Sequence, residues 1–404
     1  MAGDLTLDSV REAAAALAGV VSRTPVEETA ALSRLAGTRV VLKCENLQRG
    51  GSFKIRGAYL RMSRLSPDEQ ARGVVAASAG NHAQGVALAA AALGIDAVVY
   101  MPVGAALPKI AATKGSGANV RMHGTTVDEA LVEARAEAER TGRTVIHPFD
   151  HLDIVTGQAT LGLEIAEQVP DVRTVIVPTG GGGLLAGVAT ALHGALGDHV
   201  KVVGVQAEGA AAYPESLLQG HPVALGQMQT MADGIAIGCP GEVPLAIVAR
   251  EADHVETVSE EELSRALLLL TERAKLVVEP SGAAGVAALL NHPGGWEGPV
   301  VIVLSGGNVD PLVLMRVLQH GLVAAGRYLQ VKVRTKDTPG HLARLLADLA
   351  TQSANVLNVG HVRTDATLAV DEVDIAVEIE TRGADHCAAV VESLHAAGYH
   401  VVPG

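Results

Sequence analysis

Short apolar runs alternate with helical patterns along most of this chain, and that alternation limits the fold more than any other feature. Val74-Val75-Ala76-Ala77, Ala97-Val98-Val99-Tyr100-Met101, Thr174-Val175-Ile176-Val177, Lys201-Val202-Val203-Gly204-Val205 and Val300-Val301-Ile302-Val303-Leu304 read as strands. Further strands are expected at 39–43, 118–122 and 143–147, with helices at 5–20, 107–114, 127–140, 156–168, 260–274 and 282–290. Strands that alternate with helices imply a mainly parallel α/β sheet. Residues 210–258, rich in Gly and Pro, read as irregular.

A different pattern begins near residue 328. Leu329, Val331 and Val333 alternate with polar residues, as in a half-buried strand. Thr338-Pro339-Gly340 reads as a helix start, with Thr338 as N-cap and Pro339 at the first helical position. Strands near 355–363 and 373–379, a helix at 384–396 and a last strand at Val401-Val402 complete the order βαββαβ, a ferredoxin-like unit.

The totals narrow the partners. The 404 residues carry 31 Lys+Arg against 44 Asp+Glu, a net charge of −13, which argues against nucleic acid and anionic membrane surfaces as main partners. Hydrophobic residues are 48% but aromatics only 2%, so the cores must be built from Ala, Val and Leu. Cys44, Cys239 and Cys387 are far apart with no CxxC spacing, which makes a disulfide framework and a zinc site poor readings. Asp4, Asp8 and Arg11 interrupt the N-terminus, unlike a secretory signal. Asn81, His82, Gln84 and Asp96 interrupt the most apolar stretch, so it does not read as a membrane span. A soluble cytoplasmic protein is the expectation.

Four motifs carry chemistry. In Gly50-Gly51-Ser52-Phe53-Lys54, the glycines permit a turn, Ser52 can cap the following helix, and Lys54 falls in its first turn. A helix N-terminus is a poor place for a cation, so Lys54 either reaches for an anion or loses its charge in a Schiff base. Gly180-Gly181-Gly182-Gly183-Leu184 follows a strand and opens a helix, where bare N–H groups can take a phosphate. It is neither a Walker loop nor a GxGxxG fingerprint. Ser78-Ala79-Gly80-Asn81-His82 is a tight polar strand-to-helix turn able to hold an anion; read alone, Asn81 is an ordinary turn asparagine and His82 a structural histidine. Ser305 ends a strand where ligands of open α/β sheets bind.

Together these motifs resemble the fold-type II pyridoxal phosphate enzymes, and within them the threonine/serine dehydratase branch, over about residues 15 to 320. The resemblance implies two open parallel-sheet subdomains, a smaller one at about 50–150 inserted in the larger, within a catalytic domain spanning 1–320. It implies that Lys54 holds pyridoxal 5'-phosphate and serves as the base at Cα. It places the cofactor phosphate on Gly180, Gly181, Gly182, Gly183 and Leu184, the ring hydroxyl on Asn81, the pyridine nitrogen on Ser305, and the substrate carboxylate on Ser78, Ala79, Gly80, Asn81 and His82. A neutral serine at the ring nitrogen deepens the electron sink less than a carboxylate would, which suits elimination. The implied reaction is β-elimination from L-threonine to 2-oxobutyrate and ammonia, with L-serine as a second substrate.

Asp337-Thr338-Pro339-Gly340-His341-Leu342 resembles the first loop of ACT regulatory domains, which implies an amino-acid effector at 328–404 and a homodimer or homotetramer. Ala79 stands where related serine racemases carry a second, serine base, and this weighs against racemisation. Those racemases also have an acidic metal site; Glu208 and the Ala212 backbone match part of it, but Pro214 replaces a carboxylate, so no metal site is assigned. Glu279-Pro280-Ser281-Gly282-Ala283 and Ala232-Asp233-Gly234-Ile235 resemble family motifs without an assignable role. The alternatives are another reaction of the same fold, racemisation or β-replacement, and a non-catalytic amino-acid sensor, which the presence of Lys54 and Ser305 disfavours. An isoleucine-branch role and a catabolic one are both compatible with the chain.

Overall fold

The computed structural model describes residues 5–364 and 367–402. Asp4 and the remaining positions at either end and at 365–366 lie outside the described residues. The chain divides into two compact units, Met1–Leu314 and Met315–Gly404.

In the first unit, β1 (Val26–Glu28) and β2 (Val40–Lys43) precede β3 (Val74–Ala77), β4 (Ala97–Met101), β5 (Asn119–Met122) and β6 (Thr144–Val145). Then come β7 (Thr174–Pro178), β8 (Lys201–Ala207), β9 (His254–Val258) and β10 (Val300–Val303). They form a six-stranded sheet, β1-β2-β10-β7-β8-β9, and a four-stranded sheet, β5-β4-β3-β6. Every pairing is parallel except β1 with β2. Helices cover these sheets, so β2, β3, β4, β7 and β10 are buried throughout, which is why each reads as a continuous apolar run. The cores are assembled from Val, Ala, Leu and Ile, as the lack of aromatics requires.

Residues 210–258 are more regular than expected. They contain the helices Tyr213–Gln219 and Glu242–Glu251 and the edge strand β9. β9 has no apolar run because it pairs only with β8 at the sheet's edge, where His254 and Thr257 stay exposed to solvent. The three-residue strand β1 and the helices Ala30–Ala36 and Pro67–Arg72 are also too short for periodicity to reveal.

The second unit has β11 (Tyr328–Lys336), the helix His341–Thr351, β12 (Asn355–Val362), β13 (Glu372–Glu380), the helix Ala384–Ala396 and β14 (His400–Val402). The strands form an antiparallel sheet, β12-β13-β11-β14. Val331, Val333, Val373, Ile375, Val377 and Ile379 alternate onto one face and meet Leu345, Leu349, Val390 and Leu394 of the two helices. Its first helix begins at His341, not at Pro339: Gly340 is the N-cap, at φ 95°, and takes the left-handed turn that Thr338 could not.

Candidate active site

The chain before Lys54 is fastened by its backbone. Gly50 and Gly51 have φ of 75° and 70°, and a Cβ on Gly51 would stand 2.2 Å from Asn308 Oδ1, so only glycine passes there. Ser52 is extended and pairs as an antiparallel bridge with Gly306. Gly307 N–H donates to Gly51 O at 2.8 Å, and Phe53 N–H donates to Ser305 O at 3.2 Å. The expected cap is therefore corrected: Ser52 is committed to this ladder, and the helix Lys54–Ser63 starts after Phe53 without a side-chain cap. Lys54 is the first helical residue, tied to the turn that carries Ser305.

Lys54 Nζ donates to Pro148 O at 3.1 Å and stands 5.2 Å from the Phe53 ring centre. Burial pushes its pKa down to about 8, with Glu279 acting the other way. An amine with that pKa is neutral in about a tenth of molecules at pH 7, far more than an ordinary lysine, as a nucleophile or base requires.

The glycine turn after β7 faces the same space. Gly182 has φ 92° and caps the helix Gly183–Leu196. Ala186 N–H makes the first helical bond, to Gly182 O at 2.9 Å, so the N–H groups of 183–185 point out of the helix start. A Cβ on Gly181 would meet the Phe149 ring at 2.4 Å. Phe53 and Phe149, the two phenylalanines of the chain, both line this cavity.

Asn81 opens the helix Asn81–Leu93 after Gly80. Its Nδ2 donates to Glu279 Oε1 at 2.6 Å and its Oδ1 accepts from Asn308 Nδ2 at 2.9 Å, which fixes the amide plane from both ends. Glu279 is buried and caps the helix Pro280–Asn291; its pKa is pushed up to about 7, by burial first and Asp233 next. Ser78 Oγ accepts from Gly80 N–H at 3.1 Å. His82 is buried with Nε2 2.8 Å from Ile146 O, and burial pushes its pKa down to about 3. It is a neutral structural histidine at physiological pH.

Lys54, Asn81, Gly180, Gly181, Gly182, Gly183, Leu184 and Ser305 line one cavity. Ser78, Ala79, Gly80 and His82 do not line it; they form the turn beside Asn81. The cavity also takes in Glu279 and Ser281, to which sequence alone gives no role. Their signal is an acidic residue before Pro280 at a helix start, a pattern shared by many plain helices. Ser281 Oγ is buried without a hydrogen-bond partner, as expected of a hydroxyl placed for a polar ligand. Among the described residues, no three or more His, Cys, Asp or Glu side chains are grouped to hold a metal ion, and no helix is long and apolar enough to cross a membrane.

The second unit has its own cavity, over the apolar floor of Val373 and Ile375. Arg363 and Asp337, both lining it, form an ion pair at 2.7 and 3.2 Å, and Thr335 Oγ1 lies 2.9 Å from His341 Nδ1.

Comparison with known proteins places this geometry. A profile of the family described as "Pyridoxal-phosphate dependent enzyme" matches residues 17–306. The L-threonine ammonia-lyase of Thermotoga maritima is 44% identical over 397 residues, covering 98% of this chain and 99% of that protein. The structure of the processed form of threonine deaminase isoform 2 from Solanum lycopersicum superposes with a TM-score of 0.74 at 37% identity, covering 78% of this chain and 93% of that one. Maize serine racemase gives a TM-score of 0.74 at 34% identity, covering 80% of this chain and 99% of that one.

Proposed function

This chain belongs to the pyridoxal-phosphate dependent enzyme family, and we propose that its reaction is the deamination of L-threonine to 2-oxobutyrate and ammonia. What carries the reading is one cavity in which Lys54, the glycine turn and Ser305, drawn from three distant segments, face each other. The full-length similarity to an L-threonine ammonia-lyase selects the reaction within the family.

The residues fit pyridoxal phosphate. A glycine turn with no room for a Cβ and a helix N-terminus behind it suit a phosphate. A buried hydroxyl without a partner, Ser281 Oγ, suits a polar ring. We assign the aldehyde to Lys54, the phosphate to Gly180–Gly183 and Leu184, the ring hydroxyl to Asn81 and the ring nitrogen to Ser305. When bound, the cofactor supplies an electron sink for the bond that breaks at Cα.

The chain's own groups do the rest. Lys54 Nζ, with its pKa lowered by burial, takes the Cα proton once it is free. The substrate carboxylate is assigned to the Ser78–His82 turn, where the helix Asn81–Leu93 offers its first N–H groups. The β-hydroxyl leaves with a proton as water; addition of water to the resulting product then releases ammonia, so threonine is converted to 2-oxobutyrate plus ammonia with no redox partner. Ala79 carries no group that can transfer a proton, which weighs against racemisation. L-serine is the expected second substrate. A cytoplasmic enzyme is part of this reading.

For the second unit we propose an ACT-type regulatory role, with an amino acid as effector at the cavity lined by Asp337, Arg363 and His341. Pairing of this unit between copies makes a homodimer or homotetramer the proposed assembly.

The direct test is 2-oxobutyrate release from L-threonine by the purified chain, with Lys54→Ala as control. Product from the native chain and none from the variant is expected. A bound, coloured cofactor without product would move the reaction to another β-substrate. Branched-chain amino acids are then added to test the regulatory unit.

A further inference from the structure

We propose that Lys109 is a contact for the substrate carboxylate, held by Asp233 until the substrate arrives, so that the pair is an exchangeable strap at the cavity mouth. Lys109 lies in the first turn of the helix Leu107–Gly115, which follows β4 in the four-stranded half. Asp233 begins the 3-10 turn Asp233–Ile235, within the long connection between the helices Tyr213–Gln219 and Glu242–Glu251. Lys109 Nζ meets Asp233 Oδ2 at 2.5 Å. Both are within the first compact unit.

The surroundings of the pair point to a ligand rather than to a simple brace. A Cβ on Gly80 would lie 3.6 Å from Lys109 Nζ and 3.9 Å from its Cδ, so the lysine tip rests against the turn assigned to the carboxylate. On the other side, Gly234 and Ile235, the residues after Asp233, line the cavity with Lys54 and Glu279. The lysine side chain is only 13% exposed, whereas the aspartate is 59% exposed. The cation faces inward and its partner faces water.

Charge decides what such a pair can do. A lysine in the first turn of a helix opposes the helix dipole and needs an anion from elsewhere. Among the described residues that line the cavity, Lys54 is the one cation, and it is assigned to the cofactor; Lys109, against the Gly80 position, offers a further cation to an anionic substrate group. An ion pair with a well-exposed carboxylate contributes little. A carboxylate that also accepts from backbone N–H groups of the 78–82 turn therefore displaces Asp233, which returns to water at small cost. The inference rests on the proposed function in two points: the substrate is an α-amino acid, and its carboxylate is held at the 78–82 turn.

The opposite signs expected for the two partners make the idea testable. The holoenzyme is titrated with L-alanine, which has the amine and carboxylate but no leaving group, and binding is followed by the change in cofactor absorbance. Lys109→Met is expected to weaken binding by about tenfold or more, the scale of a charge-assisted hydrogen bond. Asp233→Asn, which frees the lysine, is expected to strengthen it, and the double variant is expected to match Lys109→Met. A strap that only holds the walls together would weaken binding in both single variants, and that result overturns the proposal. So does unchanged binding in Lys109→Met. Asp233→Asn changes an exposed side chain, so its result stands if the lysine variant does not fold; weakened or unchanged binding there overturns the proposal by itself. L-Threonine turnover by the unvaried chain is measured separately, so failure of that reaction is not confused with failure of the strap.

Discussion

Asn81 Nδ2 donates to Glu279 Oε1 at 2.6 Å, and this bond joins the start of a helix in the four-stranded half to the N-cap of a helix in the six-stranded half. Glu279 also brings a pH dependence, which this bond opposes and burial sets. Burial raises the Glu279 pKa from 4.5 to about 7. The folded carboxyl thus keeps a proton that the unfolded one loses. Its contribution to stability is complete below about pH 4.5 and is lost as pH rises through 7. Glu279→Gln removes this loss. In cofactor-free protein, denaturant midpoints should show the variant gaining on the unvaried chain by roughly 2–3 kcal/mol between pH 5 and 8. A constant difference across that range would place the titration on another group.

Gly57 and Gly157 let the helix of Lys54 lie directly on the helix Leu152–Gln168. A Cβ on Gly157 would stand 2.6 Å from Gly57 Cα and 2.7 Å from Arg56 O, both backbone atoms that cannot rotate away. Gly157→Ala must therefore displace the helix that begins at Lys54. The expected cost is about 1–3 kcal/mol of stability, together with a fall in kcat larger than that of Gly104→Ala, where a Cβ meets nothing within 4 Å. Thermal melts and threonine turnover of the two variants make the comparison. Equal kcat values would show that the position of Lys54 tolerates the shift.

Arg56 is two residues from Lys54 and has no exposed side-chain surface. It forms bonds of 2.8 and 2.9 Å with Glu45 and one of 2.8 Å with Glu164. Glu45 accepts in addition from Thr24 Oγ1 at 2.6 Å, and Glu164 from Lys43 Nζ at 2.6 Å. Removing one member leaves a buried charge without its partner. Glu45→Gln is expected to cost about 3–5 kcal/mol, read as a shift in the denaturant midpoint. A loss under about 1 kcal/mol would mean that water or Glu164 compensates the guanidinium.

The parallel sheets are legible because burial on both faces writes itself into strands such as Val74–Ala77 and Val300–Val303 as unbroken apolar runs. Lys54 and the glycine turn are legible for a different reason: each breaks a local rule, a cation at a helix start and four glycines in a row. Glu279 breaks none, because an acidic residue before a proline suits any helix N-terminus; only its distance to Asn81, 198 residues away, reveals it. The pairing of Lys109 with Asp233, 124 residues apart, is invisible for the same reason. Ser52 misleads because a serine before a helix is a good cap in isolation, whereas here the bridge to Gly306 claims its backbone. Thr338 misleads because Gly340, two residues later, can take a conformation closed to threonine.

Gly182 packs the glycine turn against the floor beneath it, and its replacement is expected to lower both cofactor affinity and stability. Its φ of 92° already disfavours any other residue. A Cβ there would overlap Tyr213 Oη and lie 2.6 Å from Tyr213 Cζ and 3.0 Å from Pro244 Cβ. Tyr213 cannot step aside easily: it is fully buried, its hydroxyl donates to Gly181 O at 3.3 Å, and its N–H donates to Gln206 Oε1 at 2.8 Å. Gly182→Ala should therefore push the turn out toward the phosphate position, weakening pyridoxal phosphate binding by tenfold or more, on the order of 1.4 kcal/mol, and lowering the stability of the cofactor-free chain by about 2–4 kcal/mol. Adding Tyr213→Phe should not rescue binding, because the ring carbon remains in the way. Recovery of cofactor absorbance in the double variant would show that the hydroxyl alone sets the floor, and an unchanged affinity in Gly182→Ala would remove the phosphate from this turn.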